Sequence, residues 1–336
     1  MNSKILVIGG AGYLGAVLVN RLLELDYQVK VLDNFIYGRK ALFHIDGHED
    51  AEIIEGDIRN IESVNSAMND VDAVILLAAV VGDPASLSRP EQTIATNYLA
   101  SQAIASSCKL KGIERFIYAS TCSVYGVGHE ILDEDAPLNP VSLYAKTKIS
   151  SEEIIQKMTD KNFAPTIMRM STLYGYSPRM RFDLVVNTMT MTAYLDNIIK
   201  VFGGEQWRPL LHIKDAAESY IKVLETDIEI VRGKVYNVGS EKQNYQIKDV
   251  ARMVSETIKK NFNKDVTVEI EKTSTDERDY RVSFKRIQND LGFDVKYTIP
   301  DAVKEIYEML VSKHIKDARH KVYYNHYFDS SEELIG

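Results

Sequence analysis

Cysteine is nearly missing from this chain, which has two thiols, Cys108 and Cys122, in 336 residues. That count excludes a disulfide-stapled scaffold and a cysteine-built metal site, so no metal is expected and the cytoplasm, a reducing compartment, is. Proline and glycine are also sparse, at 8 and 18 residues, which argues against long disordered or collagen-like stretches. No apolar run is long enough to span a bilayer. The first, in "MNSKILVIGGAGYLG", stops after a few residues, and the glycines behind it do not read as a signal-peptide cleavage region. Positive charge falls short of negative, 40 Lys and Arg against 48 Asp and Glu, for a net charge of −8. Nucleic acid and membrane surfaces are therefore not expected as partners, because both call for a basic footprint.

What is present is an ordinary globular composition, 45% apolar and 26% charged, in a chain long enough to bury a large core. Short β-rich runs, "KILVIG", "YQVKVLD", "AEIIEGD", "DAVILLAA", "ERFIYAS" and "APTIMRM", are mostly separated by amphipathic stretches. That alternation predicts an α/β protein with a doubly wound parallel sheet under helices. Residues 73–79 are continuously apolar, as a strand buried on both faces must be, and belong at the centre of the sheet. After Gly175 the pattern predicts a loop with Pro178, a helix over 182–195, strands in "IIKVFGG" and "GKVYNVGS", and a helix over 247–261. A strand in "DVTVEIE", a loop over "TSTDERDYRVSF" and two more helices follow. Nothing separates these parts as a flexible linker would, so two lobes sharing one chain are expected.

"GGAGYLG" sets Gly9, Gly12 and Gly15 directly after the first strand and opens a helix. Glycines so placed make the tight turn, let the backbone approach a pyrophosphate and pack helix on strand, while the helix N-terminus favours the anion. Tyr13 and Leu14 belong to the same turn. Asp33, 18 residues beyond Gly15, ends the second strand in "VLDN" next to Asn34. A carboxylate there accepts hydrogen bonds from ribose hydroxyls and repels a 2′-phosphate, which favours NAD over NADP, although Arg39 and Lys40 lie near enough in sequence to accommodate a phosphate. Asp57 in "EGDIRN" follows the third strand and reads either as a contact to the adenine edge or as a turn residue.

In "VSLYAKTKISSEE" Tyr144 precedes Lys148 by four residues, one helical turn, so both side chains can approach one target. Such pairs also arise by chance, and the surrounding motifs have to decide.

With "GGAGYLG", "VLDN", "GDIR", "LLAA", "ATNYLAS", "STCSVYG" and "YAKTK" in this order, nearly the whole chain resembles the extended short-chain dehydrogenase/reductases. It is most similar to their NAD-dependent epimerase/dehydratase family, which acts on nucleotide sugars. The resemblance implies a Rossmann-like NAD-binding domain over 1–172, with a return segment at about 210–240. A smaller α/β lobe, 173–209 and 241–336, would close over a nucleotide-diphosphate sugar. It further implies that Asp57 and Ile58 hold the adenine, that Leu77, Ala78 and Ala79 border the dinucleotide, and that Asn97 sets the helix geometry beside it. Most members form homodimers through paired helices.

In that frame Thr121, Tyr144 and Lys148 are the expected catalytic residues, with Tyr144 and Lys148 also at the nicotinamide and its ribose. A tyrosine ionises near pH ~10 when unperturbed, and an adjacent ammonium and a nicotinamide cation both favour its phenolate. Tyr144 then takes a sugar hydroxyl proton while Thr121 holds the developing carbonyl oxygen. Ser120 and Ser123 are alternatives that alignment on "VYG" sets aside. Where the family's 4,6-dehydratases carry Asp-Glu after the threonine this chain has Cys122 and Ser123, which disfavours dehydration. Cys122 itself is either an acid or a packing thiol.

Arg208 matches the family's arginine for the sugar-nucleotide diphosphate, and Arg278 falls near a second one. Gly82, in a loop over 82–85 that reads either as a sugar-pocket lining or as a plain turn, and Thr172, Arg179 and Asn187 complete the expected substrate set. Arg181 flanks Met180 beside them, and His212 reads as structural. Thr172 stands where many members have asparagine, and with "VVGDPAS" this suggests a branch that includes heptose-nucleotide 4-dehydrogenases as well as 4-epimerases. The leading expectation is a nucleotide-sugar 4-epimerase. A 4-dehydrogenase or 4-ketoreductase using the same residues is the alternative, and a non-catalytic NAD sensor a third reading against which the intact triad argues.

Overall fold

The computed structural model describes residues 3–273 and 276–327. Seven strands form one sheet in the spatial order Val235–Val238, Ala164–Met170, Arg115–Thr121, Ala73–Leu76, Lys4–Ile8, Gln28–Asp33, Ala51–Glu55. Every neighbouring pair is parallel. The expected doubly wound α/β sheet is therefore present, with Ala73–Leu76 in its middle place and all four of its residues buried.

The apolar runs have this form because both faces are covered. Ile5, Val7, Ala73 and Ile75 pack into one core, while Leu6, Ile8, Val74 and Leu76 pack into the other. Successive strand residues point to opposite faces, so a strand with helices on both sides has no polar positions to spare. The helix Tyr13–Glu24 buries Ala16, Leu18, Val19 and Leu22 on one side, spacing that lays it against the sheet and against the helix Ile213–Glu225.

A third core joins the helices Val185–Asp196, Ile247–Phe262 and Ile299–Val311 to the paired strands Ile198–Phe202 and Thr267–Glu271. These correspond to the helices and strands read from the second half, within a few residues. The loop read over "TSTDERDYRVSF" is a correction where it is described: Asp279–Val282 is a strand, parallel to Val127–Leu132. Four residues that include an aspartate and an arginine carry too weak a period to announce themselves. Two further short pairings were also silent in sequence: Thr172–Tyr174 runs parallel to Trp207–His212, and Trp207 to Pro209 run antiparallel to Asn244–Gln246. Among the described residues no helix is long and apolar enough to cross a membrane, and no group of three metal-ligating side chains occurs.

Candidate active site

The sheet order reverses between Lys4–Ile8 and Ala73–Leu76, and a long cleft opens there at the carboxyl ends of the strands. Crevices of open α/β sheets bind ligands at this kind of switch point. Gly9, Gly12, Tyr13, Leu14, Gly15, Asp33, Asn34, Asp57, Ile58, Leu77, Ala78, Ala79, Tyr144 and Lys148 all line it. Asn97 does not line the cleft. It stands fully buried behind, in the π-helical turn Ile94–Ala100, where its side chain accepts the Val80 N–H at 2.8 Å and donates to the Val80 carbonyl at 2.9 Å. It thereby fixes the backbone that follows Ala79.

The glycine turn has a steric cause at two points. Gly9 has a φ of +90°, and a β-carbon on it would come within 2.6 Å of the Ala78 nitrogen. A β-carbon on Gly15 would stand 2.2 Å from the Gly9 carbonyl oxygen. Backbone crowds both positions, so the turn and the helix after it close up only without side chains. The carboxylate of Asp33 accepts the N–H groups of Ala11 and Phe35, each at 2.9 Å, which ties the second strand to the turn. Burial pushes this carboxyl up from its ordinary value, and those amides oppose the shift. Arg39 and Lys40 are exposed and outside the cleft lining, Arg39 lying over the Phe35 ring and 3.9 Å from Glu55. Asp57 is gripped by the Arg59 guanidinium, at 2.9 and 2.6 Å, which holds its carboxyl below the usual range.

At the other end of the cleft the helix Leu143–Lys157 presents Tyr144 and Lys148, both buried. Its N-cap Ser142 accepts the Ala145 N–H at 3.2 Å, so the tyrosine sits in the first turn with its position fixed by the cap. Thr121 ends its strand beside them and shares a side-chain hydrogen bond with the Tyr144 phenol. The Lys148 ammonium donates to the Ala119 carbonyl at 2.7 Å and lies 4.6 Å from the Tyr118 ring centroid. The expected lowering of the phenol is reversed in the chain alone. Burial pushes Tyr144 up to about 12, against the opposing pull of Thr121 and the Arg181 guanidinium. Lys148 is committed to a carbonyl rather than to the phenol, and the chain by itself provides no nicotinamide cation.

Burial also pushes Lys148 down, from 10.5 to about 7, opposed by the Glu152 carboxylate one turn along. Between those two values the unfolded chain holds a proton that the folded chain lacks, so this residue makes stability rise with pH across that window. Lys148→Met should flatten the rise. The check is the denaturant midpoint of both proteins at pH values near the two ends, and an equal slope in the variant would show that Lys148 keeps its proton.

Arg208 and Arg278, expected at the sugar nucleotide, come together, but around an acid: both guanidinium groups reach Asp276, at 2.8 and 2.7 Å, and Arg278 also lies 3.3 Å from Asp83. Asp83 directly follows Gly82, whose φ of +98° starts the short helix Asp83–Ser88. That short helix packs against the helix Leu143–Lys157, which carries Tyr144, and the charges of Arg181 and Asp83 pull the phenol in opposite directions. Thr172 does not line the cleft, although its neighbour Leu173 does. Asn187 requires correction. Fully buried, its side chain accepts the Gly175 N–H at 3.0 Å and donates to the Tyr13 hydroxyl at 3.0 Å and the Arg181 carbonyl at 2.9 Å. It is a lock between Tyr13 and the segment from Gly175 to Arg181, with both amide hydrogens spent and none left for a phosphate. Arg179 lines the dinucleotide cleft instead of the Arg208 group, as do Arg89, Arg181 and Asn325. Sequence reasoning passed over Arg89 and Asn325, which sit in segments without a motif.

Cys122 is fully buried and its Sγ donates to the Arg169 carbonyl at 3.2 Å. Burial pushes its thiol up, which leaves it a packing group rather than an acid. His212 is likewise structural: fully buried, it accepts the Lys214 N–H at 3.2 Å and stacks on Tyr297.

A switch-point cleft with a glycine cradle, an acidic residue on the second strand and a Thr–Tyr–Lys cluster at its inner end defines a dinucleotide-dependent short-chain oxidoreductase site. The description of the NAD dependent epimerase/dehydratase family matches residues 5–239, and the chain belongs to that family, with NAD as its cofactor. It is 30% identical over 242 residues to the low-salt glycan biosynthesis protein Agl12 of Haloferax volcanii, covering 70% of this chain and 76% of that protein. It is 29% identical to a UDP-N-acetyl-alpha-D-glucosaminuronate decarboxylase of Bacillus cytotoxicus, over 75% of this chain and 79% of the other. Among solved structures, the UDP-glucuronic acid 4-epimerase of Bacillus cereus, in complex with UDP-glucuronic acid and NAD, superposes with a TM-score of 0.81 at 26% identity. That match covers 92% of this chain and 99% of the other. The residues in place fit the cofactor: the cradle excludes β-carbons, Asp33 keeps acceptor capacity for a ribose, and two arginines of the lining, Arg89 and Arg179, carry buried Nε–H groups without a partner among the described residues.

Proposed function

We propose that the protein is a nucleotide-sugar 4-epimerase that oxidises C4 of a nucleotide-diphosphate sugar to a transient ketone and reduces it from the other face. The observation that carries this reading is that Tyr144 and Lys148 line the dinucleotide cleft, while the helix Asp83–Ser88, tied to Arg278 through Asp83 at 3.3 Å, packs against the helix that holds them. Bound NAD supplies the hydride acceptor and donor and a positive ring that favours the phenolate. Tyr144 removes the C4 hydroxyl proton and later returns it, while the Thr121 hydroxyl donates a hydrogen bond to the oxygen as it becomes a carbonyl. Lys148 orients the nicotinamide ribose. Arg208 and Arg278 exchange Asp276 for the diphosphate, which leaves the sugar free to turn over between the two hydride steps. Gly82 and Thr172 border the sugar. The lobe that holds it comprises 173–209 and 241–336, against the cofactor domain at 1–172 with its return segment at about 210–240. The reading includes a cytoplasmic homodimer. Cys122 and Ser123 offer no acid–base pair for eliminating water, since the thiol is buried and held on a carbonyl.

The test is incubation with UDP-glucose, UDP-N-acetylglucosamine and UDP-glucuronic acid in turn, without added NAD, followed by proton NMR. Inversion at C4 to an equilibrium mixture, with no net absorbance at 340 nm, is the expected outcome for one of them. Net NADH formation only on adding NAD would identify a 4-dehydrogenase, and loss of the C6 carboxyl from UDP-glucuronic acid a decarboxylase. Either result replaces the epimerase.

A further inference from the structure

Beyond the helix Ile299–Val311 the chain turns back toward the cleft. Ile315 and Ala318 are buried in the same apolar seam as Tyr13, Met180 and Phe182. The Tyr323 ring packs edge-on against Phe182 at 5.6 Å, and the Tyr323 carbonyl accepts the Phe182 N–H at 3.0 Å. This strap delivers Asn325, buried, to a point where several segments meet. The Asn325 Oδ1 accepts from Arg179 Nη2 at 2.6 Å, and its carbonyl accepts from Arg89 Nη2 at 2.9 Å. Its amide nitrogen donates to the Val81 carbonyl at 3.3 Å, and its backbone N–H to Asp183 at 3.3 Å.

The two arginines so gathered both line the dinucleotide cleft. Arg179 is 6% exposed, and the Nε–H groups of Arg179 and Arg89 are buried without a hydrogen-bond partner among the described residues. Arg181 beside them differs, since its fork is spent on Asp183 at 3.0 and 2.9 Å. A buried guanidinium left partly unsatisfied is costly, and what satisfies it best is an anion with several oxygens. The backbone sets Arg179 near the glycine turn. Ser177 Oγ donates to the Tyr13 carbonyl at 2.7 Å and the Tyr13 hydroxyl to the Gly175 carbonyl at 2.6 Å, so 175–177 is docked on the first turn of the helix that the glycine turn opens. Arg179, two residues further on, lies 3.8 Å over the Tyr37 ring and lines the same cleft as the glycine turn and Tyr13. Glycine turn and helix end form the floor of a diphosphate site.

We propose that Arg89 and Arg179, held by Asn325 of the carboxyl-terminal strap, roof the diphosphate of the bound dinucleotide and slow its release. The proposal rests on the NAD reading above and deepens it. An enzyme that returns its hydride to the same sugar gains from holding its cofactor through both steps, because release between them strands the ketone.

The experiment is exchange of bound NAD for radiolabelled NAD on the full-length protein, comparing the unaltered chain with Asn325→Ala and Arg89→Met, alongside the KM for the sugar nucleotide. Each variant should exchange about tenfold faster or more, the effect of losing one charge-assisted hydrogen bond, while the sugar-nucleotide KM stays within about twofold. Exchange at the unaltered rate overturns the roof, as does a raised sugar-nucleotide KM with unaltered exchange, which would hand the arginines to the other diphosphate. An unaltered protein that neither holds nor takes up NAD overturns the NAD reading itself. Arg89 is half-exposed, so Arg89→Met decides the matter if Asn325→Ala does not fold, and melting curves of both variants establish which are folded.

Discussion

Tyr144→Phe should lower kcat by about 10²–10⁴-fold, the usual worth of a positioned general base, with NAD content and melting temperature close to those of the unaltered protein. The phenol oxygen is the only atom removed, and its surroundings explain why little else changes. The ring is 8% exposed and stays packed, the helix cap at Ser142 is untouched, and Lys148 keeps its bond to the Ala119 carbonyl. What is lost is the proposed base and its hydrogen bond with Thr121. In the chain alone burial holds that phenol at about 12, which is far too high for a base at neutral pH. The variant therefore also tests how the site overcomes burial. If the nicotinamide cation lowers the phenol, the NAD-loaded protein should show a tyrosinate absorbance change near neutral pH that Tyr144→Phe abolishes, and the NAD-free protein should show none in that range. Turnover by Tyr144→Phe within threefold of the unaltered protein would remove Tyr144 from the base role.

The glycine turn and the strand that supports it were legible in sequence because backbone geometry forces their residues. Gly9 and Gly15 have no room for a β-carbon, Asp33 stands at a strand end beside the turn it supports, and the central strand is apolar throughout because both its faces are covered. Such constraints act over a few residues and leave a local pattern. The substrate half follows other rules. Arg179 was expected at the sugar nucleotide and lines the dinucleotide cleft, because Ser177 and Gly175 fasten its segment to Tyr13, about 160 residues away. Asn187 looked available for a phosphate and is consumed by that same fastening. No local spacing encodes a contact between segments so far apart. Asn325 is the extreme case: it lies in a stretch with no motif, and it matters only because the chain folds back over the cleft.

Arg169→Met should destabilise the protein by about 3–5 kcal/mol, the cost of stranding a buried charge, whereas Arg169→Met combined with Glu152→Leu should recover most of that loss. Glu152 and Arg169 are among the most deeply buried ionic groups of the fold, with side chains 3% and 6% exposed, 2.7 Å apart. Burial acts to lower the Arg169 guanidinium, but Glu152 outweighs it and the net shift is upward. Each member has further partners: Ser120 donates to Glu152, and Arg169 donates to the Tyr125 hydroxyl at 3.0 Å and the Glu134 carbonyl at 3.2 Å. Ser120 adjoins Thr121, and Glu152 lies two helical turns beyond Tyr144 and one beyond Lys148, so the pair bolts the helix Leu143–Lys157 to the strands Arg115–Thr121 and Ala164–Met170. A charge this close to the site has a second effect. Glu152 raises the Lys148 ammonium against burial, and without it the lysine falls below about 7, leaving less ammonium at neutral pH. The double variant should then be nearly as stable as the unaltered protein in urea titration, yet its activity should decline at a lower pH as the lysine deprotonates. A double variant as unstable as Arg169→Met alone would mean that lost packing, not a stranded carboxylate, sets the cost.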